Sequence, residues 1–593
     1  MSDFIYSKNK IEQSKLTKEI RAIYHQDSPP VEEFHGEWGS LAVSHNLYNG
    51  FQPYETDDHI CVVIGGPILC FQENYFLNKQ LGNEGTQAIY TRWIEGTIQW
   101  DEDLSGPFVI LIINKKTSDA FSVTDIMSFI PVYKHQTATN LMLSTHVDML
   151  AYASDTQNEI DVVSEVDFIL NGVVTYPYTT YSSIRQIQPA TEHVMSKASF
   201  VLQSKRYWVP EEKYNYKTIN EASNALRISL QNYVNSITKH ADNVAQFISG
   251  GEDSRVLSAL LAKENMQEAF VFLDKMNREG KVAKKTADVY GAKFNMLIRN
   301  KLHYLNILPP CTDLIGSGSE YKHAHTFGFH KECKLDQYSA VFGGLFSDAL
   351  LKGARIKKTR GSTRFSFLPQ IKRRDYSAAS PLRNNVFTSK VLLELTIRRK
   401  SHLNYVQSFR NESAEEWFEL WPSSMNMNIP NLHANRRLFR SYEPFMSKDV
   451  VKISACVPQK WKLNRKLFHK TAKPLLKPTK WLPHSDGRLP YFSWYTNSFI
   501  QLGIKFYRKI GVKTGLTKGN QGPWGEWNNV ISSPDWKLSI SNYSEGIRKF
   551  EEALLIYDPK TLMEELNKNQ RINLMQILYK SKKQLDREKD KIR

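Results

Sequence analysis

The seven residues Ser249-Gly250-Gly251-Glu252-Asp253-Ser254-Arg255 combine the groups needed to hold a phosphate. They follow an apolar run, Val244-Ala245-Gln246-Phe247-Ile248, that reads as a buried strand, and they lead into an amphipathic helical run, VLSALLAKEN. Paired glycines let backbone N–H groups approach an anion closely, and a helix start adds the positive end of its dipole. Ser249 and Ser254 can donate hydroxyl hydrogen bonds to phosphate oxygens. Asp253 can hold Mg²⁺, which prefers carboxylate and phosphate oxygens. No GK[ST] follows, so this is not a Walker loop, and the spacing is not that of a GxGxxG dinucleotide loop. A plain Gly-Gly turn with a capping serine is the bland reading, and the strand before and helix after argue against it.

The elements that must position this loop follow from periodicity. Asn220 to Ile237 carries Leu226, Leu230 and Val234 at helical spacing. After the loop comes a second strand, EAFVFLD, and from about residue 216 helix and strand alternate, which predicts a parallel α/β sheet. Past residue 380 the pattern is mostly helical. Residues 35–200 read differently: short runs such as HICVVIGG, PFVILIINKK, DAFSVTDI and NLMLSTHVDML are separated by Gly, Asn and Asp turns. Their alternation predicts stacked antiparallel sheets, with Thr86 to Trp93 helical. There is no internal repeat.

The chain has 593 residues, 41% hydrophobic, 23% charged and 12% aromatic. That length predicts two to four domains with ample apolar area for large cores. The most apolar run, Ile60 to Phe71, is interrupted by Gly65, Gly66 and Pro67, and no run reaches the roughly 18–20 apolar residues of a membrane helix. The polar start, MSDFIYSKNKIEQSK, has no signal-peptide core, so a cytoplasmic protein is expected. Cys61, Cys70, Cys311, Cys333 and Cys456 are widely spaced without a CxxC pair, which fits core thiols rather than disulfides or zinc. Net charge is +17, with basic clusters at Lys352 to Arg374 and Lys580 to Arg593. Such an excess favours acidic partners. The tail alternates signs and reads as a solvated helix or frayed end.

The SGGxDS loop resembles the pyrophosphate-binding loop of ATP pyrophosphatases, and most of the chain resembles the asparagine synthetase family. That family places a second loop, S-G-E-G-A-D-E-L-F-G-G, after a later strand. Here Gly343-Gly344-Leu345-Phe346-Ser347-Asp348-Ala349-Leu350-Leu351-Lys352-Gly353 occupies the place. The resemblance implies that Asp348 joins Asp253 as a magnesium ligand, with Ala349 in place of the following glutamate. The Ser347-Asp348 pair is similar to the β-lactam synthetase branch. By the same resemblance, Ser249, Gly250, Gly251, Asp253, Ser254, Gly343 and Gly344 bind ATP, Glu279 sits beside it, and Leu273 and Asp274 end a strand that contacts adenosine. Tyr442 to Asp449 resembles the segment E-A-R-V-P-F-L-D only in part, with Arg440 for Glu and Tyr442 for Arg, so the acceptor is expected not to be aspartate. A late cation must steady the phosphates as charge builds. Lys477, Lys480 and Arg488 are the candidates, and Arg488 lies nearest the family position.

The N-terminal half resembles the family's glutaminase, an N-terminal-nucleophile (Ntn) αββα sandwich. Leu104-Ser105-Gly106-Pro107-Phe108-Val109 mirrors L-x-G-D-F-A, Thr124-Asp125 through Pro131-Val132-Tyr133 mirrors R-D-R-L-G-I-K-P-L-Y, and Gly172 to Trp208 mirrors the linker. The glutaminase chemistry is missing. A cysteine should follow the initiator Met, and Ser2-Asp3 stand there. Gly65-Gly66-Pro67 replaces the glutamine-binding N-G-E, and Pro107 replaces an aspartate. The expected organisation is an N-terminal extension over 1–34, a degenerate sandwich over 35–210, and a parallel-sheet ATP-pyrophosphatase domain, adenine nucleotide α-hydrolase-like with a helical C-terminal part, over 211–593.

The resemblance implies an AMP-forming carbon–nitrogen ligase using ATP and Mg²⁺. It would adenylate a carboxylate of a small molecule, peptide or anionic saccharide, for attack by an amine or ammonia, with Tyr442 or Glu443 as base. This is the logic of β-lactam synthetase. Two other readings stay open: a degenerate ATP-binding scaffold or regulator, motivated by Ala349 and Arg440, and a nucleic-acid-modifying pyrophosphatase, motivated by the charge. The intact sandwich and the lack of interleaved basic and aromatic residues argue against nucleic acid as partner. A homodimer is compatible with the family.

Overall fold

Alternation along the strand His59–Gly65 sets the architecture of the N-terminal half. Ile60, Val62 and Ile64 join one apolar cluster while Cys61 and Val63 join another, as the period of two requires when both faces are covered. The computed structural model describes residues 2–25, 28–78, 82–197, 200–261, 267–359, 370–371, 386–500, 503 and 522–592. Most of the basic stretch around 355–375 lies outside these residues.

Two six-stranded antiparallel sheets form the sandwich. One runs in the order Ile184–Gln186, Tyr133–Gln136, Leu141–Ser144, Phe4–Ser7, Gly39–Ser44, Val31–Gly36. The other runs Gln203–Arg206, Thr191–Met195, Ala120–Thr124, Phe108–Asn114, His59–Gly65, Tyr54–Glu55. Phe4, Tyr6, Leu41, Val43, Val62, Leu111 and Leu143 fill the space between them. Helix Lys15–Tyr24 covers the outer face of the first sheet, and Glu84–Ile94 covers that of the second.

Residues 1–34 are therefore not an extension. Phe4–Ser7 is an inner strand, paired with Leu141–Ser144 on one side and Gly39–Ser44 on the other. Four residues are too few to display a period, so the strand was hidden in a stretch that is otherwise polar. Asp3, at its start, is fully buried and lies against the second half of the chain. Arg437 donates to both of its carboxylate oxygens at 2.7 Å, Arg436 donates at 3.1 Å, and Thr145 and Tyr24 add hydroxyl hydrogen bonds. Both arginines come from helix Ile429–Leu438.

The second half is built on a five-stranded parallel sheet. Its strands are β1 (Val244–Phe247), β2 (Gln267–Leu273), β3 (Lys293–Ile298), β4 (Ala340–Phe342) and β5 (Ser441–Tyr442), in the order β3-β2-β1-β4-β5. The chain reverses its direction of travel between β1 and β4, and the carboxyl ends of two such strands open a crevice. Helix α1 (Ile219–Thr238) leads into the sheet, its Leu226, Leu230 and Val234 buried as the periodicity predicts. One apolar cluster runs from Tyr48 and Phe51 of the sandwich through Leu226 to Trp417 and Phe445, so the two halves share a core. The C-terminal helix Lys568–Ile592 runs through the tail, which is helical but not wholly solvated: Ser581 and Gln584 are buried, and Lys580 and Lys583 pair with Asp148 and Asp313. Among the described residues, no helix is long and apolar enough to cross a membrane.

Asp3→Ala will leave two buried guanidinium groups without their shared carboxylate. Loss of one partner from a buried ion pair costs about 3–5 kcal/mol. Urea unfolding of the variant is expected to show a loss of this size, and a loss below about 1 kcal/mol, the range of exposed pairs, would contradict the role given to the cluster.

Candidate functional site

β1 ends just before Ile248, and the chain turns through Ser249-Gly250-Gly251 into helix α2 (Glu252–Leu260). The loop holds its own shape. Ser249 Oγ accepts the Gly251 N–H at 3.0 Å, and Ser254 Oγ accepts the Ser249 N–H at 3.1 Å. Gly250 N–H donates to Glu279 Oε1 at 2.6 Å. Glu279 lies in the first turn of α3 (Arg278–Tyr290) and is buried. A Cβ at Gly250 would come within 2.9 Å of the Glu279 carboxylate and 3.1 Å of Ser485 Cβ, so the glycine is needed for close approach. Arg255, wholly buried, donates to the carbonyls of Leu482 and Pro483 at 2.7 Å each. It thereby ties the late segment carrying His484 and Ser485 against the loop.

β4 supplies the facing wall. Gly343-Gly344-Leu345-Phe346 leads into the short helix α4 (Ser347–Leu351). A Cβ at Gly344 would lie 3.2 Å from Asp253 Cβ, and one at Gly343 would strike the Glu443 carboxylate. The two loops thus approach because Gly344 lacks a side chain, while Gly343 makes room for Glu443. Glu443 is almost fully buried, accepting the Leu345 N–H at 2.9 Å and facing Ser441 Oγ at 3.2 Å. Burial pushes its carboxyl up to about 8, against the lowering effect of these two hydrogen bonds.

Between the loops lies a compact charge network. Lys352 Nζ forms ion pairs with both Asp253 and Asp348, the latter at 3.0 Å, and sits 4.4 Å from the centre of the Phe468 ring. Its side chain is 3% exposed. Burial opposes the ammonium charge, but Asp253, Asp348 and Glu252 outweigh it and raise its pKa. Glu252 pairs with Arg465 and, at 3.4 Å, with Arg488. Burial disfavours the Glu252 carboxylate, and Lys352, Arg465 and Arg488 more than offset this, so its pKa falls. Arg488 also holds Asp486 at 2.7 Å. These residues do not fit a divalent ion held between Asp253 and Asp348, because the lysine ammonium already fills the gap.

A cleft of about 470 Å³ opens over the network. Ser249, Gly251, Asp253, Ser254, Glu279, Gly343, Gly344, Asp348 and Glu443 line it, with Phe272, Arg299 and Trp524 on its apolar side. A second chamber of about 600 Å³ shares Glu252, Asp348, Lys352 and Arg465, and adds Lys358, His469, Arg488, Phe492 and Trp494.

The structure brings Ser249, Gly251, Asp253, Ser254, Glu279 and Asp348 to one cleft and places Arg488 in the adjoining chamber. It does not bring Leu273 or Lys480 to either space. Leu273 points to the α3 side of the sheet with Ala283 and Ala287, and only its carbonyl faces back, accepting from the Arg299 N–H at 2.7 Å. The Lys480 ammonium lies over the rings of Trp481, Tyr491 and Phe492. Arg440 turns away to the carbonyls of Asp336 and Tyr338, and Tyr442 packs edge-on against Tyr48. Lys352, Glu252, Arg299 and Arg465 were not singled out from the sequence. Lys352 stands four residues after Asp348, a spacing that puts both on one helical face. Arg465 carries no such signal, since two consecutive left-handed residues, Asn464 (φ 54°) and Arg465 (φ 61°), aim it.

A glycine-serine anion loop at the switch point of a parallel sheet, behind an antiparallel αββα sandwich, defines a two-domain nucleotide-using enzyme class. The asparagine synthase family model matches residues 225–482, and a glutamine amidotransferase domain model matches residues 39–208. The chain belongs to the asparagine synthetase family, with an Ntn-type amidotransferase domain ahead of its synthase domain. That family is one of ATP-dependent amidotransferases and ligases. No curated protein matches the chain significantly. Among solved structures it is similar to the allosteric regulatory enzyme of purine biosynthesis, at 8% identity and TM-score 0.25, over 50% of this chain and 80% of that one. It is also similar to glutamine phosphoribosylpyrophosphate amidotransferase from B. subtilis complexed with ADP and GMP, at 10% identity and TM-score 0.22, over 50% and 66%.

The raised pKa of Glu443 has a defined sign in stability. Above its ordinary value of 4.5 the unfolded carboxyl loses its proton while the folded one keeps it up to about 8. The folded state then binds more protons, so stability falls as pH rises between those values. Glu443→Gln removes this contribution. Its stability relative to the parent protein is expected to rise as pH increases from about 5 to about 8, measured by denaturant unfolding. A pH-independent difference would show that Glu443 ionises normally.

Proposed function

We propose that this protein is an AMP-forming carbon–nitrogen ligase that joins a substrate carboxylate to an amine or ammonia without a glutaminase of its own. The observation that carries the reading is the placement of the Ser249–Ser254 loop, the cations Arg465 and Arg488, and the buried Glu443 around connected spaces. ATP would lie in the cleft with its base toward Phe272 and Trp524 and its phosphates toward the N-terminus of α2 and the Ser249 and Ser254 hydroxyls. A carboxylate oxygen of the acceptor attacks the α-phosphorus, the α–β bridging P–O bond breaks, and pyrophosphate leaves. Arg465 and Arg488 are the cations available to balance its growing charge. The amine then attacks the acyl carbon, the carbon–oxygen bond to AMP breaks, and an amide remains. The attacking nitrogen must lose a proton. Glu443 is suited to take it, since a base works best with a pKa near the working pH. Tyr442 is not, because burial raises its phenol far above neutrality. Magnesium belongs to this proposal as the companion of the nucleotide phosphates.

The sandwich supports the absence of glutamine hydrolysis. Its opening strand offers Ser2 and Asp3, both buried and bound to Arg436 and Arg437. Cys61 is buried in a strand, and burial raises its thiol, which leaves it a poor nucleophile. Tyr48 packs where a side chain at Gly66 would stand. The nitrogen source is then a free amine, on the same or a second substrate, or ammonia.

ATP–pyrophosphate exchange tests the adenylation step. With a pool of carboxylic acids spanning amino acids, peptides and uronic acids, the protein is expected to return label from pyrophosphate to ATP. Asp253→Ala should abolish exchange, and Arg488→Ala should lower it by about 10²-fold, as for removal of one transition-state charge partner. Lys480→Ala should leave it within about twofold, the scale of a surface change. Exchange that survives Asp253→Ala undiminished would remove the loop from the chemistry.

A further inference from the structure

The gap between Asp253 and Asp348 is filled by a residue of the protein. Lys352 reaches it from the end of α4, four residues after Asp348, and contacts both carboxylates. The Phe468 ring closes a third side, its centre 4.4 Å from the ammonium, where the ring face attracts a cation. The lysine is not a surface group that happens to fold inward, since its side chain is 3% exposed. It stands where the family's second loop has a glycine, and three residues before it Ala349 stands where that loop has glutamate. Ala349 is buried in the apolar cluster, so nothing there replaces the missing carboxylate. Both departures act in one direction: one negative charge fewer, one positive charge more. The result is a resting cluster in which four carboxylates, Glu252, Asp253, Asp348 and Asp486, face three cations, Lys352, Arg465 and Arg488.

We propose that the Lys352 ammonium is a built-in cation that replaces the protein-held divalent metal at the Asp253–Asp348 pair, so that metal reaches the site only on the nucleotide phosphates. This rests on the reading of the cleft as a nucleotide site. A lysine is a fixed monovalent charge with three directed donors, and it cannot expand its coordination to take phosphate oxygens as a magnesium ion does. Its presence therefore changes what the pair can hold, and does so in the free protein, before any nucleotide binds.

The test uses Mn²⁺ alone as the probe, read by electron paramagnetic resonance on the nucleotide-free full chain. The parent protein is expected to bind no Mn²⁺ in an Asp348-dependent way, so Asp348→Asn should leave its titration unchanged. Lys352→Ala opens the carboxylate pair. It should gain a Mn²⁺ site at least about tenfold tighter than anything in the parent, and lose it again when Asp348→Asn is added. The same ion should raise the melting temperature of Lys352→Ala but not of the parent, because a ligand that binds only the folded state stabilises it. A parent protein whose Mn²⁺ binding falls on Asp348→Asn would overturn the proposal. So would a folded Lys352→Ala variant that gains no site. If that variant does not fold, the parent and Asp348→Asn comparison decides alone. Because no nucleotide is present, a chain that fails to bind ATP would sink the ligase reading and leave this result standing.

Discussion

The site depends on bringing three carboxylates to one edge of a sheet without letting them repel each other apart. Like charges about 4 Å apart cost about 4 kcal/mol per pair near a protein surface. Glu252, Asp253 and Asp348 are brought together by the glycines of the two loops, since Gly344 lets the second loop press on Asp253. Lys352, Arg465 and Arg488 then neutralise them. Remove the cations and the loops should separate; remove the glycines and they could not meet. The first loop is held for that approach by Glu279, which accepts from Gly250, and by Arg255, which ties residues 482 and 483 against it.

Much of this was legible in the sequence because it is local. The strand, glycine-rich turn and helix around Ser249 are contiguous, and the sandwich strands announce themselves through alternation. What escaped was set by three-dimensional packing. Lys352 lies far along the chain from Asp253, and only the folded loops make them partners. Arg465 depends on a left-handed backbone turn that no residue pattern signals. Lys480 reads in sequence as a candidate cation for the phosphates, yet its ammonium lies over three aromatic rings outside both spaces. Leu273 failed for a simpler reason: a strand alternates its faces, and this side chain falls on the helix side.

The sandwich is fastened to the synthase half by its polar groups as well as by its apolar core. Asp3 opens the inner strand and binds two arginines of the synthase half. Tyr48 reaches from the sandwich to the Ser441 carbonyl at 2.8 Å, and Trp421 and Ser423 reach back to the carbonyls of Ile126 and Ser128 at the same distance. These bonds and the shared apolar cluster fasten the halves together. Through Tyr48 the sandwich supports β5, and hence Glu443, beside the cleft.

In the proposed reaction the protein makes AMP, not ADP, and draws nitrogen from a free amine or ammonia rather than from glutamine. The most direct measurement follows α-labelled ATP and glutamine together, with the carboxylate pool and either glutamine or an ammonium salt plus amines as nitrogen source. Labelled AMP is expected with ammonium or amines, and no glutamate released from glutamine in either case. Labelled ADP, or glutamate formed in step with nucleotide turnover, would contradict it.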